Sequence, residues 1–194
     1  DGYADLLIGA YGSATGRAYL VLGNASPGSI NLADADAIYT GEASGDSAGD
    51  SVAGAGDVNG DGYADLLVGT PGYSSNTGCA YLVLGSASPG NITLSAADAI
   101  YTGEGTGNFT GNSVAGAGDV NGDGYADLLV GAPSYNGSTG RAYLILGSAS
   151  PGNITLSAAD AIYTGEAYGN SASYSMKGAG DVNGDGYADL LVGA

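Results

Sequence analysis

Short apolar stretches separated by Gly, Asn, Ser and Pro recur along the whole chain. In one copy of the pattern they cover residues 113–117, 126–131, 141–146 and 161–164. Each stretch is rich in Val, Ile, Leu, Tyr and Ala and is bounded by turn-forming residues, which is typical of short β-strands. In the third stretch Tyr143 and Ile145 alternate with Leu144 and Leu146, which predicts a strand packed on both faces.

The same strand pattern returns in near-identical segments at a spacing of 62 residues. The segment DVNGDGYADLLVG begins at Asp57, Asp119 and Asp181, and the apolar segments around it keep that spacing. Four short strands in a unit of this size are typical of a β-propeller blade. The sequence therefore predicts an all-β fold of propeller-type blades, each with four antiparallel strands.

About three tandem repeats account for the chain, followed by the start of a further repeat. The first of them starts inside an Asp-rich loop, and the expected bounds are 1–60, 61–122, 123–184 and 185–194. Three blades are too few to close the ring of a propeller. We therefore expect an incomplete propeller, or an open or assembled array of blades. Near-identical units make near-identical interfaces, so the expected partners are copies of the chain itself or the remaining blades of a longer parent chain.

The composition excludes several partners and concentrates the charge in one kind of loop. The 194 residues include 38 glycines, and 20 Asp and Glu residues stand against 3 Lys and Arg residues. A formal net charge of −17 repels nucleic acid, so no nucleic-acid partner is expected. No apolar run approaches the roughly 20 residues of a membrane helix, so no membrane insertion is expected. Cys79 is the single cysteine, which excludes an internal disulfide.

The segment from Asp57 to Asp65 has the spacing of a calcium-binding loop. Side-chain oxygens fall at its positions one, three, five and nine, and the main-chain carbonyl of position seven supplies a further oxygen. Gly62 at position six allows the sharp turn that wraps alternate side chains round one ion. The candidate metal ligands are Asp57, Asn59, Asp61, Tyr63 and Asp65; Asp119, Asn121, Asp123, Tyr125 and Asp127; Asp181, Asn183, Asp185, Tyr187 and Asp189; and, in a partial first loop, Asp1, Tyr3 and Asp5.

An all-oxygen ligand set of this kind favours Ca²⁺ over Mg²⁺, and the absence of His disfavours zinc. An EF-hand places a bidentate Glu at position twelve, but that position holds Val68, Val130 or Val192. An EF-hand loop also continues into a helix, whereas the LLVG that follows here predicts a strand and a turn. The alternative to a cation site is a plain Asn/Asp–Gly turn, which would leave nine loop carboxylates without counter-ions.

The repeat resembles the FG-GAP repeat of integrin α-subunit propellers and their bacterial relatives. That family has a Gly-Asp-Val-Asn-Gly-Asp-Gly loop, an apolar strand and then Gly-Ala-Pro, which recurs here at 131–133 and, as Gly-Thr-Pro, at 69–71. The chain departs from the family at the Phe-Gly element, where Ala48, Thr110 and Ala172 occupy the Phe positions. The resemblance implies a propeller of usually seven blades, with calcium loops on one face between the first two strands of a blade.

We expect a non-enzymatic, extracellular calcium-binding module, secreted or on the cell surface, with a structural or adhesive role. Self-assembly through identical blades, and binding to a cell-surface protein or glycan, are open options for its partners. Millimolar calcium outside cells would fill even weak sites. Five Asn-x-Ser/Thr sequons are compatible with a secreted surface, namely Asn24, Asn91, Asn108, Asn136 and Asn153.

The alternative function is a carbohydrate- or protein-binding propeller domain of a larger secreted protein or enzyme. Tyr73 and Tyr135, with Tyr11 nearby in the shorter first copy, lie after the Gly-Ala-Pro element and could stack on sugars, although packing against a neighbouring blade is the commoner role. An enzyme is disfavoured because every chemically distinctive residue recurs at the repeat spacing, whereas catalytic groups usually occur once. We therefore assign no catalytic residue.

Overall fold

The structure is a computed structural model that describes residues 2–194; the candidate ligand Asp1 lies outside the described residues. The strands are β1 (Leu6–Ala10), β2 (Arg17–Val21), β3 (Ala37–Thr40), β4 (Val52–Gly56), β5 (Asp65–Thr70), β6 (Cys79–Val83), β7 (Ile92–Thr93), β8 (Ala99–Thr102), β9 (Ser113–Gly118), β10 (Asp127–Ala132), β11 (Arg141–Ile145), β12 (Ile154–Thr155), β13 (Ala161–Thr164), β14 (Ser175–Gly180) and β15 (Asp189–Gly193). The helical segments are short: α1 (Tyr73–Asn76), α2 (Tyr135–Ser138) and single 3₁₀ turns at Leu32–Asp34, Leu94–Ala96 and Leu156–Ala158.

The strands form four separate sheets that repeat one design, and we call them blades 1 to 4. Blade 2 has the order β4-β5-β6-β8, and blade 3 has the order β9-β10-β11-β13, in each case with antiparallel neighbours. Blade 1 contains β1, β2 and β3, and blade 4 contains β14 and β15. The predicted all-β fold of four-stranded blades is confirmed, and within residues 2–194 the sheets do not close into a barrel or ring.

Both faces of the central blades are buried because each sheet is covered by the sheets before and after it. In β5, Leu67 packs into the cluster shared with blade 3, and Val68 packs into the cluster shared with blade 1. All five residues of β6 are buried. Successive side chains of a strand point to opposite faces, so a strand between two neighbours must be apolar throughout. This arrangement explains the continuous apolar runs of the sequence.

A β-bulge ends the innermost strand of blades 2, 3 and 4 and directs the chain into the Asp-rich loop. Asp65 pairs with Gly56, and Leu66 pairs with Gly54, so Ala55 is the extra residue. Gly56 has a φ of +81°, a conformation that a side chain would strain. The same register shift precedes the loops of blades 3 and 4. The bulge therefore gives the three loops the same starting geometry.

The structure adds one element that the sequence did not predict, a parallel strand that joins consecutive blades. The two-residue strand β7 pairs in parallel with β3 of blade 1, and β12 pairs in parallel with β8 of blade 2. We call these segments, with the asparagine before each, the straps. The Asn91 and Asn153 side chains extend the pairing by accepting hydrogen bonds from the backbone N–H groups of Ile38 and Ile100. A two-residue strand carries too little hydrophobic periodicity to be recognised in a sequence.

Candidate metal centre

Each complete Asp-rich loop connects the first and second strands of a blade. We name residues 57–65, which follow β4, loop A; residues 119–127, which follow β9, loop B; and residues 181–189, which follow β14, loop C. This is the position that the resemblance to integrin-type blades implies. All three loops leave the equivalent end of the innermost strand, so they lie on the same side of the array.

The carboxylate at position one organises the turn. In loop A, Oδ1 of Asp57 accepts hydrogen bonds from the backbone N–H groups of Gly60 at 2.7 Å and Asp61 at 3.1 Å, and Oδ2 accepts from Gly62 at 2.9 Å. Gly62 has the positive φ that its place in the turn predicted, +90°. Loops B and C repeat these bonds around Asp119 and Asp181 within about 0.1 Å. The backbone N–H groups lower the pKa of Asp119 and Asp181.

Positions three and five contact one another beside this turn. The Asn59 side chain donates from Nδ2 to Oδ2 of Asp61 at 2.9 Å, and its Oδ1 accepts from the backbone N–H of Asp61 at 3.0 Å. Oδ1 of Asp61 also accepts from the N–H of Tyr63 at 2.9 Å. The hydrogen bond from Asn59 is the largest cause that lowers the pKa of Asp61. The corresponding bonds recur in loops B and C.

In loops A and B, position nine differs from the other acidic positions because it is buried, whereas Asp189 of loop C is half-buried. Asp65 and Asp127 are completely inaccessible to solvent. Oδ2 of Asp65 accepts from the N–H of Val58, and Oδ1 accepts from the N–H of Gly85, both at 2.7 Å. Burial raises the pKa of Asp65, and the negative charges of Asp61 and Asp57 add to the increase. This carboxylate therefore ties the loop to the segment after β6.

Sequence reasoning missed the partners of position nine. Gly85 and Gly147 follow the third strand of their blades and donate to Asp65 and Asp127. Gly23 makes the same bond to Asp5, the one remaining side-chain ligand candidate that the structure describes in the partial first loop. A side chain at any of the three glycines would collide with a main-chain carbonyl at 2.3–2.4 Å. Their recurrence at the repeat spacing was the signal that could have identified them.

The oxygen atoms of these loops suit calcium as metal ligands. A carboxylate has about four acceptor sites. The bonds above use three on Asp57 but only two on Asp61 and two on Asp65, so oxygen lone pairs remain for a cation. Such a ligand set, with three carboxylates, an amide oxygen and a carbonyl, matches a hard cation of flexible coordination. Within residues 2–194, however, no three acidic, His or Cys side chains are gathered into a ready-made metal cluster.

The other sites considered in the sequence are packed between blades. Tyr73 and Tyr135 are half-buried against the clusters between neighbouring blades, and the guanidinium of Arg141 covers the Tyr135 ring at 3.7 Å from its centroid. Tyr11, by contrast, is 58% exposed. Cys79 is fully buried and lies 3.0 Å from the hydroxyl of Thr70.

The profile of the FG-GAP repeat family matches residues 48–93, 110–145 and 178–194. These segments cover the complete Asp-rich loops A, B and C, together with the strands that follow them. The match covers just over half of the chain, and this chain belongs to the FG-GAP repeat family. The recognition made from the motif is confirmed.

Three relatives illustrate where such repeats occur. Integrin alpha-IIb of Homo sapiens is 34% identical over 146 residues, and integrin alpha-PS2 of Drosophila melanogaster is 35% identical over 153 residues. Phosphatidylinositol-glycan-specific phospholipase D of Bos taurus is 35% identical over 158 residues. Each alignment covers 71% of this chain, but this chain spans only 14%, 11% and 17% of those proteins, respectively. None of the helices within residues 2–194 is long and apolar enough to cross a membrane.

Proposed function

We propose that this chain is a non-enzymatic, extracellular module in which calcium stiffens FG-GAP blades for a structural or adhesive role. One observation carries the proposal: loops A, B and C repeat the same oxygen-rich geometry at the same place in three blades. A turn needed only to join two strands would not require three carboxylates and an asparagine in each copy. The proposed ligands are the residues named in the sequence analysis, with position nine serving also as a structural anchor.

Electrostatics supports a cation in these loops. The charges of Asp57 and Asp61 act unfavourably on the buried Asp65, and the same relation holds among Asp119, Asp123 and Asp127. A divalent ion would replace this repulsion by attraction and would draw the side-chain oxygens of one loop together. It would thereby fix the exposed part of the loop, which in loop A is residues 60–64.

The named relatives support an adhesive and extracellular role. Two of the three relatives named above are integrin alpha subunits, and each aligns with 71% of this chain. The third relative is named a phospholipase, so a segment similar to this chain occurs in an enzyme as well. The distinctive polar residues of this chain recur from blade to blade, which favours a supporting role for the repeats over a catalytic one.

The outer edge of blade 3 supports partners made of further blades, either from a longer parent chain or from copies of this chain. Tyr39 and Tyr101 lie under straps in blades 1 and 2 and are 2% exposed, whereas the equivalent Tyr163 is 43% exposed. Ile162 on the same strand is 38% exposed. The strap of a following repeat would cover both residues and extend the array by one blade.

The alternative, a carbohydrate- or protein-binding propeller domain of a larger protein, has less support. Its candidate stacking residues Tyr73 and Tyr135 are engaged between blades, and only Tyr11 remains well exposed among the three. A single exposed ring is a small platform for a sugar. Binding of the array to a glycan or a cell-surface protein would therefore use other surfaces.

Calorimetric melting and solution mass, measured in millimolar calcium and in excess chelator, test the proposal. Calcium is expected to raise the melting temperature by several degrees or more, and magnesium at the same concentration is expected to raise it less. A mass in multiples of the chain in calcium would support assembly from copies, and a monomeric mass would support a segment of a longer propeller. Equal melting temperatures with calcium and with chelator would overturn the calcium-binding function.

A further inference from the structure

The position-seven tyrosine of one Asp-rich loop lies against the middle of the loop one repeat earlier. Cε1 of Tyr125, in loop B, is 2.9 Å from the place where Gly60 of loop A would carry a Cβ atom. Tyr187 of loop C approaches Gly122 of loop B in the same way, at 2.8 Å. The contacted glycine is position four, directly between the candidate ligands at positions three and five. The ring thus reaches the ligand-bearing segment of its neighbour.

A main-chain hydrogen bond forms a second link between consecutive loops. The N–H of Ala126, the residue after Tyr125, donates to the carbonyl oxygen of Asp57 at 2.9 Å. The N–H of Ala188 donates to the carbonyl oxygen of Asp119 at 3.0 Å. In both pairs of loops, the backbone N–H at position eight of the later loop donates to the backbone carbonyl at position one of the earlier loop. The two links recur in both pairs of complete loops.

We propose that Tyr125 and Tyr187 couple successive loops, so that calcium binds to loops A, B and C with positive cooperativity. The proposal rests on the calcium-binding function proposed above and adds a role for the tyrosine rings, which are positioning groups and not ligands. The carbonyl of Tyr125 is a candidate ligand in loop B, while its ring rests on loop A. Ordering of loop B by a cation holds that ring in place, so loop A then loses less conformational freedom when it binds its own cation.

Position four must be glycine for two separable reasons. Gly60, Gly122 and Gly184 all have positive φ, at +76°, +77° and +79°. Gly60 and Gly122 also lie under a tyrosine ring, whereas Gly184 has nothing within 4 Å of its Cβ position. Gly184→Ala therefore measures the backbone strain alone, and Gly60→Ala or Gly122→Ala measures the strain together with displacement of the ring.

Calcium titration of the whole chain by calorimetry, in the wild type and in tyrosine variants, tests the coupling. The wild-type isotherm is expected to have a Hill coefficient above one, and coupling of this kind typically changes affinity about fivefold or more. Tyr125→Ala should weaken binding to loop A although every ligand of loop A remains, and Tyr125→Phe should restore it. The control is Tyr63→Ala, because the rings nearest to Gly60 and Gly122 are those of Tyr125 and Tyr187 and not that of Tyr63.

Hydrogen exchange provides a readout that does not depend on a fitted binding model. The N–H groups of Gly60, Asp61 and Gly62 donate to Asp57, so their protection reports the order of loop A. In chelator, Tyr125→Ala should accelerate their exchange, and Tyr63→Ala should not accelerate the exchange of the matching amides in loop B. Gly60→Ala should reduce cooperativity more than Gly184→Ala does, which keeps the proposal testable if the tyrosine variant folds poorly.

The outcomes separate this inference from the function on which it rests. If no calcium binds at all, the calcium-binding function fails. If calcium binds with a Hill coefficient of one, and the loop A amides exchange equally in wild type and Tyr125→Ala, the coupling is refuted while calcium binding stands.

Discussion

The amide nitrogen of Ile100 donates a hydrogen bond of 2.8 Å to Oδ1 of Asn153, which lies 53 residues further along the chain. Ile38 and Asn91 repeat this bond at 2.7 Å one blade earlier. The bonded asparagine begins a strap whose parallel pairing is only two residues long. A strand this short contributes few ladder hydrogen bonds of its own, so the asparagine supplies a large part of its attachment to the preceding blade.

We expect Asn153→Ala to lower the free energy of unfolding by about 0.5–1.5 kcal/mol, because it removes the side-chain acceptor of the exposed Ile100 N–H. Urea unfolding followed by circular dichroism measures the change. Asn170→Ala, at an exposed asparagine of the same repeat, is the matched control and should change stability by less than about 0.5 kcal/mol. Equal losses in the two variants would show that the strap bond contributes nothing specific.

The acidic positions of a loop should separate into an anchor and a ligand. Asp127→Asn should destabilise the chain by about 1–3 kcal/mol even in chelator, because an amide cannot accept both N–H groups that the buried carboxylate accepts. Asp123→Asn, on the exposed part of the same loop, should have little effect in chelator and should reduce the stabilisation by calcium. Melting temperatures of both variants, with and without calcium, measure the difference.

The reverse pattern would contradict this division of roles. If Asp123→Asn were the more destabilising variant in chelator, the exposed carboxylate would be part of the fold. If Asp127→Asn were harmless in chelator, its two short hydrogen bonds would add nothing beyond what water offers in the unfolded chain.

The sequence predicted the strands and the Asp-rich loops, but it did not predict the contacts between distant residues. The strands around loop B were predicted to within one residue at the start of each strand, because Gly, Asn and Ser delimit apolar runs that are buried on both faces. The places of loops A, B and C in the chain were predicted from the 62-residue spacing of the repeated Asp-rich segment. The straps, the anchor role of Asp127 and the contact of Tyr125 with Gly60 were not predicted. The straps and the tyrosine contact join residues of different blades, which become adjacent only after the blades have packed. The role of Asp127 depends on Gly147, which lies 20 residues further along the chain and becomes adjacent only when β10 and β11 pair.

A repeated glutamate provides a graded test of packing between blades. Oε1 of Glu104 accepts from the hydroxyl of Tyr143 at 2.7 Å and pairs with Nη1 of Arg141 at 2.6 Å. Glu42 accepts from the hydroxyl of Tyr81 at 2.7 Å, with the neutral Cys79 at the position equivalent to Arg141. Glu166, at the same position of the last repeat, is exposed.

Alanine at these three positions should destabilise the chain in the order Glu104, then Glu42, then Glu166. The losses should be about 2–3, 1–2 and less than 0.5 kcal/mol, because the first change leaves two partners without an acceptor and the second leaves one. The ion pair between Glu104 and Arg141 is only partly buried, so it accounts for a modest part of the loss expected for Glu104→Ala. Chemical denaturation at one salt concentration measures the series, and a loss at Glu166 equal to that at Glu104 would contradict it.

The buried thiol of Cys79 should make the fold sensitive to alkali. Burial raises the pKa of Cys79 from the ordinary value of 9.0 to about 11, so the neutral thiol is favoured in the folded chain. The contribution of the neutral thiol to the free energy of unfolding is fully present below pH 9 and is lost as the pH rises towards 11. A two-unit shift corresponds to about 3 kcal/mol of folding free energy that is lost over this pH range. Burial also raises the pKa of Tyr39, which acts in the same direction at higher pH.

We therefore expect the free energy of unfolding to fall between pH 9 and 11, and Cys79→Ala to make that fall shallower. Urea unfolding at a series of pH values measures the slope, and an aromatic disulfide reagent measures access to the thiol. In the folded chain the thiol should react slowly at pH 8, because it is fully buried and mostly protonated. Rapid labelling under native conditions, or an identical slope with and without the thiol, would mean that the packing of blade 2 opens around Cys79.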